Sequence, residues 1–202
     1  TWVTIIPGGG TLLNFFLKWF PIMVLAITTI AITRKKIVTI VGNRPQFIKS
    51  SIVSEVFRKS KIIEEIIIHS GQHYSSNMSD LFFRELSLDA PKYFLNINNT
   101  THGQMIGSMI KKIEIILLKI KPKLVIVYGD TNTTLAGAIS AAKCNIPVAH
   151  IESGLRSYNI TMPEEVNRKL TDHLSSILFV PTITAKVTTT NYNCNHRCRG
   201  LI

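Results

Sequence analysis

Five charged residues stand directly behind short apolar runs or at the opening of helical segments. Arg44 and Lys49 follow the run 37–41, Asp130 follows 124–128, Glu152 follows 148–151, and Glu164 follows Pro163. If these runs are parallel strands, the residues behind them gather in one crevice at the carboxyl ends of the strands, where such sheets bind ligands. Paired carboxylates are what acid–base work at carbon requires, one to remove a proton and one to return it. Arg44 and Lys49 flank a Gly42-Asn43-Arg44-Pro45 turn, and a helix opening there offers N–H groups and positive charge to a phosphate. Each residue also has a plainer reading. Asp130 suits a helix N-cap, Glu164 and Glu165 suit the first turn of a helix dipole, and Arg44 alone suits a solvated loop. Glu152, between an apolar run and Ser153-Gly154, has no capping motive.

The elements that must position these side chains alternate. β-branched runs at 37–41, 66–68, 124–128, 148–151 and 177–180 read as strands, with a minor one at 94–95. Helical spacing runs through Ile48, Ile52, Val53 and Val56, through 79–86, and through 105–120 on Ile106, Met109, Ile110, Ile113 and Leu117. Residues 135–142 form a helix of small residues suited to lying close on a sheet, and 164–174 a further helix. Strands separated by helices imply an α/β fold, a doubly wound parallel sheet.

The chain has 202 residues, a net charge of +11 and a sequence pI near 9.8. Its length suits one domain. The charge implies attraction to anions. The bases are dispersed and lack the aromatic interleaving of single-strand binders, but a phosphorylated metabolite and nucleic acid satisfy the charge equally well, and composition does not choose between them. Residues 1–34 form an apolar extension whose first charge is Lys18, followed by Arg34-Lys35-Lys36. Two readings stay open for it, a non-native extension or a membrane anchor that leaves the following domain cytoplasmic. The domain proper spans 35–187, and 188–202 reads as an irregular tail. Three cysteines, Cys144, Cys194 and Cys198, form no disulfide framework, which suits a reducing compartment. No metal and no cofactor is implied, and the Gly pattern lacks a dinucleotide fingerprint.

Five segments together resemble the non-hydrolysing UDP-N-acetylglucosamine 2-epimerases. They are Gly42-Asn43-Arg44-Pro45-Gln46-Phe47-Ile48-Lys49, Ser70-Gly71-Gln72-His73, Tyr128-Gly129-Asp130-Thr131-Asn132-Thr133-Thr134-Leu135-Ala136, His150-Ile151-Glu152-Ser153-Gly154-Leu155-Arg156 and Met162-Pro163-Glu164-Glu165-Val166-Asn167-Arg168. The resemblance covers about 36–185. It implies the Rossmann-like N-terminal half of a glycosyltransferase-B-like fold, with the second domain missing. It also implies inversion at carbon 2 of a UDP-linked 2-acetamido sugar, by elimination of UDP and re-addition. By the same resemblance Asp130, Glu152 and Glu164 are the catalytic acids, Arg44, Lys49 and His73 bind the substrate, and the full-length form is a homodimer. Asn43 and Ser153 depart mildly from the family pattern. Lacking the second half, the fragment is expected to be inactive alone.

Rival readings are a hydrolysing epimerase, a glycosyltransferase of the same fold, a nucleotide-sugar-binding module or pseudoenzyme, and, last, a nucleic-acid binder. Arg156 and Arg168 are expected to pair with Glu152 and Glu164. His150 is expected to be a core residue and His102 to serve a helix cap, while His69 is left unassigned.

Overall fold

The computed structural model describes residues 34–71, 89–97 and 101–191. Residues 1–33 of the apolar extension, the helix expected at 79–86, His73, Cys194 and Cys198 lie outside the described residues. In chain order the elements are β1 (Lys35–Val41), α1 (Arg44–Lys59), β2 (Ile63–His69), β3 (Tyr93–Phe94), α2 (His102–Ile120), β4 (Leu124–Tyr128), α3 (Asn132–Lys143), β5 (Val148–Ile151), α4 (Pro163–Leu174), β6 (Ile177–Phe179) and α5 (Ile183–Asn191). The strands form one six-stranded sheet in the order β3-β2-β1-β4-β5-β6, and every neighbouring pair is parallel. The order reverses between β1 and β4, which is the switch point where ligands of such sheets collect.

The alternation of side chains along a strand divides the core between the two faces. Val38, Ile40, Ile66, Ile68, Val125 and Val127 pack against Met109, Ile113 and Leu117 of α2 and Ala136, Ala138 and Ala141 of α3. Ile37, Val41, Ile67, Ile126, Tyr128 and Ala149 face the other way, with Phe47 and Phe57 of α1. Small residues bring α3 close: a Cβ on Gly137 would sit 3.0 Å from both Ile40 Cδ1 and Val127 Cγ1. Among the described residues, no helix is long and apolar enough to cross a membrane.

The expected irregular tail starts later than its sequence suggests. Helix α5 continues through Thr188 and Thr189 to Asn191, although a threonine run is a weak helix former. Buried Ala185, Thr188 and Thr189 supply the packing that local propensity lacks.

Candidate functional site

The turn after β1 is built by polar packing. A Cβ on Gly42 would fall 2.4 Å from Ser70 Oγ and from Thr133 Oγ1, whose hydroxyls are themselves 2.8 Å apart. Asn43 caps α1, accepting from the Gln46 amide at 3.2 Å, and the Gln46 side chain reaches back to the Asn43 amide. Gln46 does more than complete this capping box. Its Oε1 accepts from the Gly42 amide at 2.7 Å, while its Nε2 donates to the Tyr128 carbonyl at 2.7 Å, Thr131 Oγ1 at 3.0 Å and Thr134 Oγ1 at 3.1 Å. One buried amide thus fastens the end of β1 to the end of β4 across the switch point. Arg44 is exposed at the first position of α1, and Lys49 lies half-buried less than two turns further on.

Asp130 and Glu152 stand at the same end of the sheet, behind adjacent strands. Asp130 is not the N-cap of α3; Thr131 is, accepting from the Thr134 amide. The Asp130 carboxylate instead pairs with Arg168 of α4 at 2.5 Å, and the Asp130 carbonyl accepts from Asn167 Nδ2 at 2.9 Å. Glu152 forms an ion pair with Lys49 and has φ 78°, a left-handed conformation that is uncommon outside glycine. Its amide and that of Ser153 both donate to the Phe179 carbonyl at 3.1 Å, so β6 holds the turn. Gly154 follows at φ +78°, where a Cβ would lie 2.5 Å from the Ala185 carbonyl oxygen. Glycine is required there on both counts.

Beneath this edge lies a buried charged network. Asp172, on α4, meets Arg156 Nη2 and His150 Nδ1, each at 2.7 Å, and accepts from the Gly154 amide at 3.1 Å. The other ring nitrogen of His150 is 2.7 Å from the Gly129 carbonyl. Burial pushes the Asp172 carboxyl up, but the hydrogen bonds and charges of His150 and Arg156 outweigh it and hold the group below the usual carboxylate range. Glu165, fully buried, accepts from the Ser157 amide at 2.9 Å and hydroxyl at 3.1 Å, and from Arg168 at 3.1 Å. Those partners likewise overcome burial and lower its pKa. The sequence-based pairing of Arg156 with Glu152 and of Arg168 with Glu164 is therefore corrected. Arg156 belongs to Asp172, and Arg168 bridges Asp130 and Glu165. Glu164 is exposed in the first turn of α4 and makes no ion pair among the described residues.

His150 is the core residue expected, fully buried. The cap of α2 is Thr101, and His102 Nδ1 accepts from Asn132 Nδ2 at 3.0 Å. His69 is buried between Phe47 and Phe94, with ring centroids 5.0 and 5.1 Å away, and its Nδ1 accepts from the Gly71 amide at 2.7 Å. Burial lowers its pKa to about 4. Gln46 and Asp172 escaped the sequence reading as working residues. An Asn-x-x-Gln spacing at a helix start was the available signal for Gln46; none existed for Asp172.

An open parallel sheet whose strand order reverses between β1 and β4, with helices on both faces, is a Rossmann-like architecture. A family model described as UDP-N-acetylglucosamine 2-epimerase matches residues 55–197, and the chain belongs to that family. That match runs beyond the 185 limit drawn from the sequence motifs. The chain is 56% identical to a UDP-2,3-diacetamido-2,3-dideoxy-D-glucuronate 2-epimerase of Pseudomonas aeruginosa, over 73% of this chain and 42% of that protein. It is 54% identical to a UDP-N-acetylglucosamine 2-epimerase of Methanocaldococcus jannaschii, over 75% of this chain and 41% of that protein. A crystal structure of the Methanocaldococcus jannaschii UDP-GlcNAc 2-epimerase with UDP-GlcNAc and UDP superposes with a TM-score of 0.75 and 52% identity, covering 78% of this chain and 43% of that one. The chain thus spans about two-fifths of the length of the curated relatives it matches.

Proposed function

We propose that the whole protein is a non-hydrolysing 2-epimerase of a UDP-linked 2-acetamido sugar, and that residues 35–187 are its Rossmann-like N-terminal domain. The observation that carries this reading is the placement of Asp130 and Glu152 behind adjacent strands, beside the switch point, with Arg44 and Lys49 across it on α1. One carboxylate takes the proton from carbon 2 as the carbon 1–oxygen bond breaks. The electron pair forms the carbon 1–carbon 2 double bond and UDP departs with the bonding pair. The second acid then delivers a proton to the opposite face of carbon 2 as the diphosphate oxygen rejoins carbon 1. Glu164, exposed at the same edge, is the third acid available. Arg44 and Lys49 stabilise the charge that develops on the departing diphosphate, and His73 is assigned to substrate binding by the family motif.

Two domains enclose the substrate in this reading, so residues 35–187 alone epimerise little or nothing. The whole protein is then a cytoplasmic homodimer, with 1–34 either foreign or a membrane contact. Because the relatives named above act on different UDP-sugars, the sugar itself is left as a 2-acetamido class.

Backbone amide NMR of the chain titrated with UDP-GlcNAc tests the site. Shifts are expected at 42–46, 129–132 and 152–154. Shifts confined to the open cavity of about 320 Å³ lined by Ala142, Pro147, His173 and Ser176, at the amino ends of β5 and β6, would contradict the reading.

A further inference from the structure

The two acids at the strand ends are held by cations of different mobility. Arg168 is fixed from both sides, by Asp130 and by the fully buried Glu165, and its side chain is 17% exposed. Lys49 meets one carboxylate, Glu152, and its side chain is 38% exposed. A lysine ammonium on a four-carbon stem re-aims more freely than a guanidinium gripped by two carboxylates.

The position of the Lys49–Glu152 pair matters as much as its looseness. Strands β1, β4 and β5 are neighbours in that order. Lys49 comes from the helix behind β1, and Glu152 from the end of β5, so their contact passes over the end of β4. Glu152 Oε2 lies 3.4 Å from where a Cβ on Gly129 would stand, which puts the carboxylate over that turn. The ion pair therefore lies across the crevice that a ligand must enter. Side chains of a helix lean toward its N-terminus, so the Lys49 ammonium also reaches toward the opening of α1, where an anion is favoured.

We propose that Lys49 is an exchangeable counter-ion. It holds Glu152 while the crevice is empty, moves to the diphosphate when a nucleotide sugar binds, and leaves Glu152 as an unpaired carboxylate beside the sugar. This rests on the nucleotide-sugar reading and adds to it an order of events: Glu152 becomes available as a base only once the leaving group is in place. Asp130, locked to Arg168, undergoes no such exchange.

The test follows the Glu152 carboxyl carbon by ¹³C NMR in the full chain, with inorganic pyrophosphate and UDP-GlcNAc as probes and Lys49→Met as the reference for an unpaired Glu152. Saturation with either probe is expected to bring the wild-type signal to the position it has in Lys49→Met, and to move the Lys49→Met signal much less. Glu152→Gln, which frees Lys49, is expected to tighten pyrophosphate binding about two- to fivefold, the scale of an exposed ion pair. If the amides of Asn43, Arg44 and Gln46 respond to the probes while the Glu152 signal stays in place, the exchange is overturned and the nucleotide-sugar reading stands. If those amides respond to neither probe, both fall.

Discussion

Helix α2 turns Met109, Ile113, Leu117 and Ile120 into one face of the sheet. Helix α1, on the other face, turns in Gln46, Phe47, Ser50 and Ser54 and leaves Ile48, Ile52 and Val56 47%, 68% and 64% exposed. The first helix is held by apolar area removed from water. The second is held at its N-terminal end by a hydrogen-bonded amide that grips two strand ends. A buried amide is stabilising only while its partners are in place, so α1 trades the tolerance of an apolar seam for a fixed position of its N-terminus. That fixed end is where Arg44 and Lys49 must stand.

The contrast sets the expected order of substitution effects. Leu117→Ala, in the seam of α2, should cost about 2–5 kcal/mol, read by urea unfolding, while leaving the amide response to UDP-GlcNAc intact. Gln46→Leu should cost less, about 1–3 kcal/mol for the groups left unpaired, yet weaken that response. A Gln46→Leu chain with normal binding would mean the amide hub does not position the edge.

His69 offers a pH test of the seam between α1 and β2, since its ring lies against Phe47. Its folded pKa of about 4 lies below the ordinary 6.5, so the neutral form is favoured by folding. The stabilisation is present above pH 6.5 and is lost as pH falls toward 4. Roughly 2 kcal/mol should disappear between pH 7 and pH 5, and His69→Phe should flatten that limb of the profile. Smallest of all, Ile52→Ser on the outer face of α1 should change stability by less than about 0.5 kcal/mol. A larger loss would show that the exposed stripe is covered in solution.

Much of the sheet was legible from sequence because a strand buried on both faces leaves an unbroken apolar run. β4 and β5 fall on the residues expected of them, 124–128 and 148–151. Helical spacing located α1 but not its orientation: the periodic apolar residues Ile48, Ile52 and Val56 face outward, while Gln46, Phe47, Ser50 and Ser54 take the inward positions. Asp130 and Glu152 could be singled out because a parallel topology puts whatever follows a strand at one edge. Their cations could not be matched from sequence. Lys49 and Glu152 are 103 residues apart, and Arg168 and Asp130 are 38 apart, and no local pattern encodes such pairings. The expected partners, Glu152 for Arg156 and Glu164 for Arg168, were near in sequence. The actual partner of Arg156, Asp172, is reached only because α4 folds back beside β5.

The central claim is that the strand-end acids exchange the proton at carbon 2. It is tested most directly in heavy water, with this chain joined to the second half of a family member and UDP-GlcNAc as substrate. Deuterium should enter at carbon 2, and Glu152→Gln, which keeps the shape and removes the charge, should slow turnover by about 10²- to 10⁴-fold without unfolding the chain. Near-normal turnover by Glu152→Gln, with exchange at carbon 2 intact, would contradict the claim and leave Glu152 a structural residue of the β5 turn.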